Sequence, residues 1–162
     1  MVEDGKTIYK SIKLDSSIKF AVMVPDFFVP TKKSRGALPT EVPHGDAAFN
    51  ISRAVMFVLS MAEGKLENLR YAVEDRLHQP YRKNYIDGME EIFDMTYRLG
   101  SRATYLSGSG PTILSVLDGG YNKFCAEIHE FFKRNSHNWT CRILTIDNVG
   151  SVVQDFGKDN NT

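Results

Sequence analysis

Tyr-Leu-Ser-Gly-Ser-Gly-Pro-Thr-Ile-Leu-Ser-Val, residues 105–116, places two runs of β-forming residues around a core of Ser107, Gly108, Ser109, Gly110, Pro111 and Thr112. The stretch reads as strand, tight glycine loop, strand. Without a Cβ, Gly108 and Gly110 can take positive φ angles and let the loop backbone approach another surface. The same loop can aim backbone N–H groups and the hydroxyls of Ser107, Ser109 and Thr112 into one small space, which suits an anion such as a phosphate. Those residues also suit a plain hairpin turn, and the loop alone does not decide between the two.

Upstream, residues 7–14 alternate loosely and suggest an edge strand, with its lysines discouraging pairing with other molecules. Residues 18–24 form a continuous apolar run ended by Pro25, as in a central strand covered on both faces. Pro25 and Pro30 enclose an extended exit segment containing Phe27 and Phe28. Thr31 is then a possible N-cap, and a helical turn from it sets Thr31 and Arg35 on one side. A hydroxyl beside a guanidinium fork could hold a carboxylate; a capped, solvated turn would need the same residues.

The clearest helix covers residues 44–62, with Ala47, Ala48, Ile51, Ala54, Val55, Val58, Leu59 and Ala62 on its apolar face and Asp46 near its positive end. A second helix is expected over 66–74. Residues 74–82 gather polar and charged groups at a break assigned to Pro80. There Arg82 could point inward as an anion ligand, Asp75 and Arg76 read as solvated charges, and His78 as a packed or capping side chain with no catalytic role. Helices over 87–99 and 121–134 flank the glycine loop in sequence, and strands at 139–146 and 149–153 follow. The tail, 157–162, is polar and expected to fray. This order predicts an α+β fold, an antiparallel sheet with helices packed on one face, in a single domain over residues 1–156.

In a chain of 162 residues, 20 basic and 20 acidic side chains cancel, which gives no general field for nucleic acid or an anionic membrane. No apolar run is long enough for a membrane span, and the polar start does not resemble a signal peptide. Cys125 and Cys141 lack metal-site spacing and are expected to be free thiols in a reducing cytoplasm. No metal ligand set is assigned.

The segment from Ser107 to Thr112 resembles the C-terminal glycine motif of the small-molecule kinases that include galactokinase, homoserine kinase, mevalonate kinase and phosphomevalonate kinase. Three further motifs resemble the homoserine kinase branch: Val24-Pro25-x-x-x-Val29-Pro30-Thr31, Thr31-x-x-x-Arg35-x-x-Leu38-Pro39, and Asp75-x-x-x-Gln79-Pro80-Tyr81-Arg82. The family's nucleotide loop, Pro-x-x-x-Gly-Leu-Gly-Ser-Ser-Ala, has no counterpart here, nor has a Walker-type loop. The resemblance therefore implies the C-terminal domain of such a kinase, with a ferredoxin-like fold and the N-terminal ATP-loop domain absent. It implies transfer of the ATP γ-phosphate to the hydroxyl of L-homoserine, giving O-phospho-L-homoserine for threonine biosynthesis. Thr31, Arg35 and Arg82 would hold the amino acid, with Ser107, Gly108, Ser109, Gly110 and Thr112 packing around the phosphates. ATP and Mg²⁺ would be bound mainly by the absent half, and no residue of this chain is assigned as catalytic. The isolated chain is expected to fold, to lack kinase activity and to form a homodimer through apolar surface around Phe27, Phe28 and the glycine loop. Another kinase of the same group, or a non-catalytic amino-acid-binding module, is the alternative.

Overall fold

A computed structural model describes residues 2–150 and 152. Its first elements are the strands β1, Val2–Glu3, and β2, Lys6–Thr7, paired in a hairpin with Val2 opposite Thr7. Asp4 and Gly5 both have positive φ, as the tightest hairpin turn requires, so Asp-Gly here is a turn signal. The edge strand expected over 7–14 does not form beyond Thr7.

The main sheet has four strands: β3, Lys19–Pro25; β4, Ala103–Leu106; β5, Ile113–Leu117; and β6, Trp139–Thr145. They lie in the order β4-β5-β3-β6, every neighbour antiparallel. The run at 18–24 is thus central, as its apolar composition predicts. The expected strand at 149–153 lies partly outside the described residues, and 149, 150 and 152 are not in a strand. The tail at 157–162 lies outside them entirely.

Six helices follow the chain order: α1, Thr31–Gly36; α2, His44–Glu63; α3, Leu69–Ala72; α4, Gln79–Arg82; α5, Met89–Arg98; and α6, Tyr121–Arg134. A 3-10 turn, Lys83–Tyr85, separates α4 from α5. The helix expected over 66–74 shortens to the single turn of α3. Pro80 starts α4 instead of breaking a helix, because a first-turn residue needs no intrahelical N–H bond. Thr31 is the first residue of α1 and gives no side-chain cap, that position falling to Pro30.

Strand alternation divides the core in two. Ala21 and Met23 of β3, with Ile113 and Leu117 of β5, meet Ile92 of α5 and Phe124, Ile128 and Phe132 of α6. Full burial of such side chains contributes roughly 1.5–3 kcal/mol each. Within this layer Thr96 of α5, Thr104 of β4 and Ser115 of β5 form a buried chain of hydroxyl hydrogen bonds, so their polar atoms are satisfied. The α+β architecture with an antiparallel sheet is the one expected, and α5 and α6 cover one face.

The opposite sheet face is covered in part by a second cluster. Ile18, Ala103 and Val116 pack there with Leu69 and Ala72 of α3 and Met61 of α2. Helix α2 has the predicted extent, but its predicted apolar face points away from this cluster. Ile51, Val55, Val58 and Leu59 are exposed, whereas Phe57, Ser60 and Met61 face inward. Apolar residues occur on more than one side of this helix, so periodicity cannot select which side the protein covers.

Candidate functional site

The glycine segment is a true hairpin connection: Leu106 pairs with Ile113, and the Ser107 N–H donates to Thr112 O at 2.9 Å. Gly108 and Gly110 have φ of +58° and +74°, values that Gly accepts without Cβ strain. A Cβ on Gly110 would also lie 2.9 Å from Ile86 Cδ1. Two helices hold the loop by its carbonyls. Ser34 Oγ, buried on α1, donates to Ser109 O at 2.8 Å, and Arg82 Nη1 on α4 donates to Gly108 O at the same distance. With the carbonyls engaged, the loop's donors are left over. Among the described residues the N–H groups of Gly108 and Ser109, and the hydroxyls of Ser107, Ser109 and Thr112, have no hydrogen-bond partner. Unpaired donors on a tight glycine turn match an anion.

Arg82 is inward, as the sequence suggests, and only 8% exposed. Its Nη1 also meets His78 Nδ1 at 3.2 Å, while its buried Nε has no partner. Burial, with the neighbouring Arg82 charge adding to it, lowers the His78 pKa against the opposing pull of Asp75. A neutral His78 can offer Nδ1 as an acceptor to the guanidinium. A buried cation with an unsatisfied donor is costly unless an anion completes it.

Asp75 is the residue whose role the sequence reading misses. Its side chain is 5% exposed and accepts the N–H groups of Leu77, His78 and Gln79, together with Asn50 Nδ2 of α2. Burial alone would raise its pKa, but these hydrogen bonds outweigh it and the net shift is downward. Asp75 is therefore the buried anchor of the turn entering α4, not a solvated charge. The pattern of Asp before Gln-Pro at a helix start is the signal that could have found it. Gln79 continues the chain, donating to Val73 O and accepting the Leu106 N–H at the end of β4. Asp75 and Gln79 thus fix α4 relative to the hairpin, and with it Arg82.

Thr31 and Arg35 are exposed on α1, one turn apart, and their side chains make no hydrogen bond or ion pair to another described residue. Ser34, between them, ties their helix to the same loop that holds Arg82. The structure brings α1, α4 and the hairpin together, and the side chains of Thr31 and Arg35 make no hydrogen bond to Arg82. An open hollow of about 680 Å³ lies alongside, lined by Phe27 to Pro30, Lys33 and residues 83–91, and includes none of the expected site residues. Among the described residues no group of three or more His, Cys, Asp or Glu side chains could hold a metal ion, and no helix is long and apolar enough to cross a membrane. Cys125 and Cys141 are free.

Comparison with known proteins shows what the chain as a whole is similar to. Residues 58–144, more than half of the chain, match the family described as GHMP kinases C terminal. That span includes Arg82 and the glycine hairpin but not Thr31 or Arg35. Homoserine kinase from Clostridium beijerinckii is 38% identical over 151 residues, 93% of this chain and 51% of that protein. Homoserine kinase from Clostridium acetobutylicum is 40% identical over 146 residues, 90% of this chain and 49% of the relative. The chain thus spans about half the length of the curated relatives it matches. The crystal structure of homoserine kinase from Cytophaga hutchinsonii superposes with a TM-score of 0.78 at 17% identity, over 85% of this chain and 44% of that one, a likeness of fold.

Proposed function

Because the chain belongs to the GHMP kinase C-terminal family, whose members use ATP, we propose that it is the substrate-binding half of a homoserine kinase. The whole enzyme would transfer the terminal phosphoryl group of ATP to the side-chain hydroxyl of L-homoserine, yielding ADP, O-phospho-L-homoserine and a proton. Mg²⁺ would accompany the nucleotide, held outside the residues described here.

The observation that carries this reading is Arg82, a buried guanidinium locked to the glycine hairpin and to His78 with its Nε left unpaired. A ligand carboxylate beside the guanidinium would balance its buried charge, and Arg35 on the exposed face of α1 would close on it from outside. Thr31 would orient the same ligand through its hydroxyl. The free N–H groups and hydroxyls of the hairpin would face the transferred phosphoryl group and favour the charge that develops there. None of these side chains acts as a base. Their contribution is position and fixed charge, which is most of what phosphoryl transfer asks of a protein.

The test joins the unmatched part of the Clostridium beijerinckii homoserine kinase ahead of this chain and follows ADP release. The reading expects ATP-dependent phosphorylation of homoserine by the joined protein and none by residues 1–162 alone. Phosphorylation of mevalonate or galactose with homoserine untouched would overturn it.

A further inference from the structure

Among the described residues, helix α2 is bonded to the rest of the chain along one side. Asn50 accepts the Arg76 N–H and donates to Asp75, Arg53 pairs with Glu74, Asp46 pairs with Arg76, and Met61 enters the second cluster. These bonds fix the rotation of the helix and leave the stripe of Ile51, Val55, Val58 and Leu59 turned outward, 65, 55, 47 and 52% exposed. The spacing runs i, i+4, i+7, i+8, the pattern of a helix face that packs against another surface. The sheet face on this same side is also incompletely covered: Val24 of β3 and Leu144 of β6 share the alternation of Phe20 and are exposed. On the other side of the sheet, α5 and α6 leave no such stripe. Contiguous apolar surface of this kind marks an interface.

We infer that the outer face of α2 is the docking surface for the polypeptide that makes up the other half of the homoserine kinase relatives. This rests on the functional reading above. The relatives carry about as many residues again as they share with this chain, enough for a domain to cover the stripe and the open side of the sheet together. A second copy of this chain would have to cover the stripe and the open side of the sheet with these same exposed residues, whereas the other half of the relatives brings a separate surface. The loop residues Phe27 and Phe28 are a poorer candidate for the main contact: Phe27 packs edge-on against Trp139 and only Phe28 is widely exposed.

The test is thiol labelling, which needs no catalysis. Val55→Cys is placed on the stripe and, as a control, Lys123→Cys on the exposed side of α6; labelling at each site is mapped by peptide mass, separately from the native Cys125 and Cys141. Each variant is studied as the 162-residue chain and as the single chain joined to the remaining part of the Clostridium beijerinckii enzyme. Both positions are exposed, so the fold is expected to survive, and unchanged circular dichroism checks this. Joining is expected to slow labelling at position 55 by at least tenfold and to leave position 123 unchanged. Equal labelling at position 55 in both forms overturns the inference. So does protection that is already present in the 162-residue chain and grows with its concentration, since a second copy then covers the stripe. The two readings separate: a joined protein that phosphorylates homoserine but leaves position 55 reactive removes the docking face alone, and protection without turnover removes the assigned substrate alone.

Discussion

Helices α2 and α6 both carry a regular apolar stripe, yet one turns it outward and the other seals it. In α6 Phe124, Ile128 and Phe132 are at most 2% exposed against the sheet. In α2 the corresponding stripe is about half exposed, and polar bonds to residues 74–76 hold the helix in that orientation. An apolar stripe therefore says that a face is to be covered without saying by what. On α6 the cover is in this chain; on α2 it is proposed to be the half that the relatives carry elsewhere.

The largest expected contrast comes from truncating each stripe. Phe132→Ala removes a fully buried ring and should cost about 3–5 kcal/mol, whereas Val55→Ala should stay within about 0.5 kcal/mol. Urea unfolding of the two variants checks this, and comparable losses would erase the distinction between the helices. Next in size is Asp75→Ala, which strips a buried acceptor from three backbone N–H groups and from Asn50. A loss of about 2–3 kcal/mol is expected, together with a loosened α2 in hydrogen exchange; a change under about 0.5 kcal/mol would deny Asp75 its anchoring role.

Acid sharpens the same point. His78 has a folded pKa below its ordinary value, so the unfolded chain takes up the proton first and stability begins to fall as pH drops below about 6.5. Asp75 also has a lowered folded pKa; its contribution is complete above about 3.9 and is lost as pH falls through the folded value. Acid unfolding should thus begin with a shallow loss that His78→Gln abolishes, followed by a steeper one that Asp75→Asn reduces. A flat profile between pH 7 and 5 would contradict the neutral, Arg82-accepting state of His78. The smallest expected effect is that of Val55→Ser with Leu59→Ser in the 162-residue chain, within about 0.5 kcal/mol by urea unfolding. A loss of several kcal/mol would mean that the stripe already packs within this chain.

The sequence made α6 fully legible because Gly119-Gly120 marks its start and its apolar residues occupy one side. The extent of α2 was legible for the same kind of reason, but its orientation was not, since Phe57 and Met61 compete with Val55 and Leu59 for the core. The glycine hairpin followed from composition, whereas the inward turn of Arg82 was expected from a helix break at Pro80 that proves to be a helix start. Ser34 and Asp75 escaped because their roles depend on a loop and a helix brought to them by tertiary structure; a short polar side chain carries no periodic signal of burial. The 7–14 strand was misplaced because both neighbours of β3 come from much later in the chain, leaving that segment no sheet position beside it.

The measurement that tests the account most directly compares homoserine with 3-aminopropan-1-ol, the same amino alcohol without its carboxylate, in the joined protein and in its Arg82→Gln variant. If Arg82 completes itself on the substrate carboxylate, the substitution lowers kcat/KM for homoserine by about 10- to 100-fold and barely alters the slow reaction of the amino alcohol. An equal fall for both substrates would make Arg82 a brace for the glycine hairpin only, and undiminished turnover of homoserine would remove it from the site altogether.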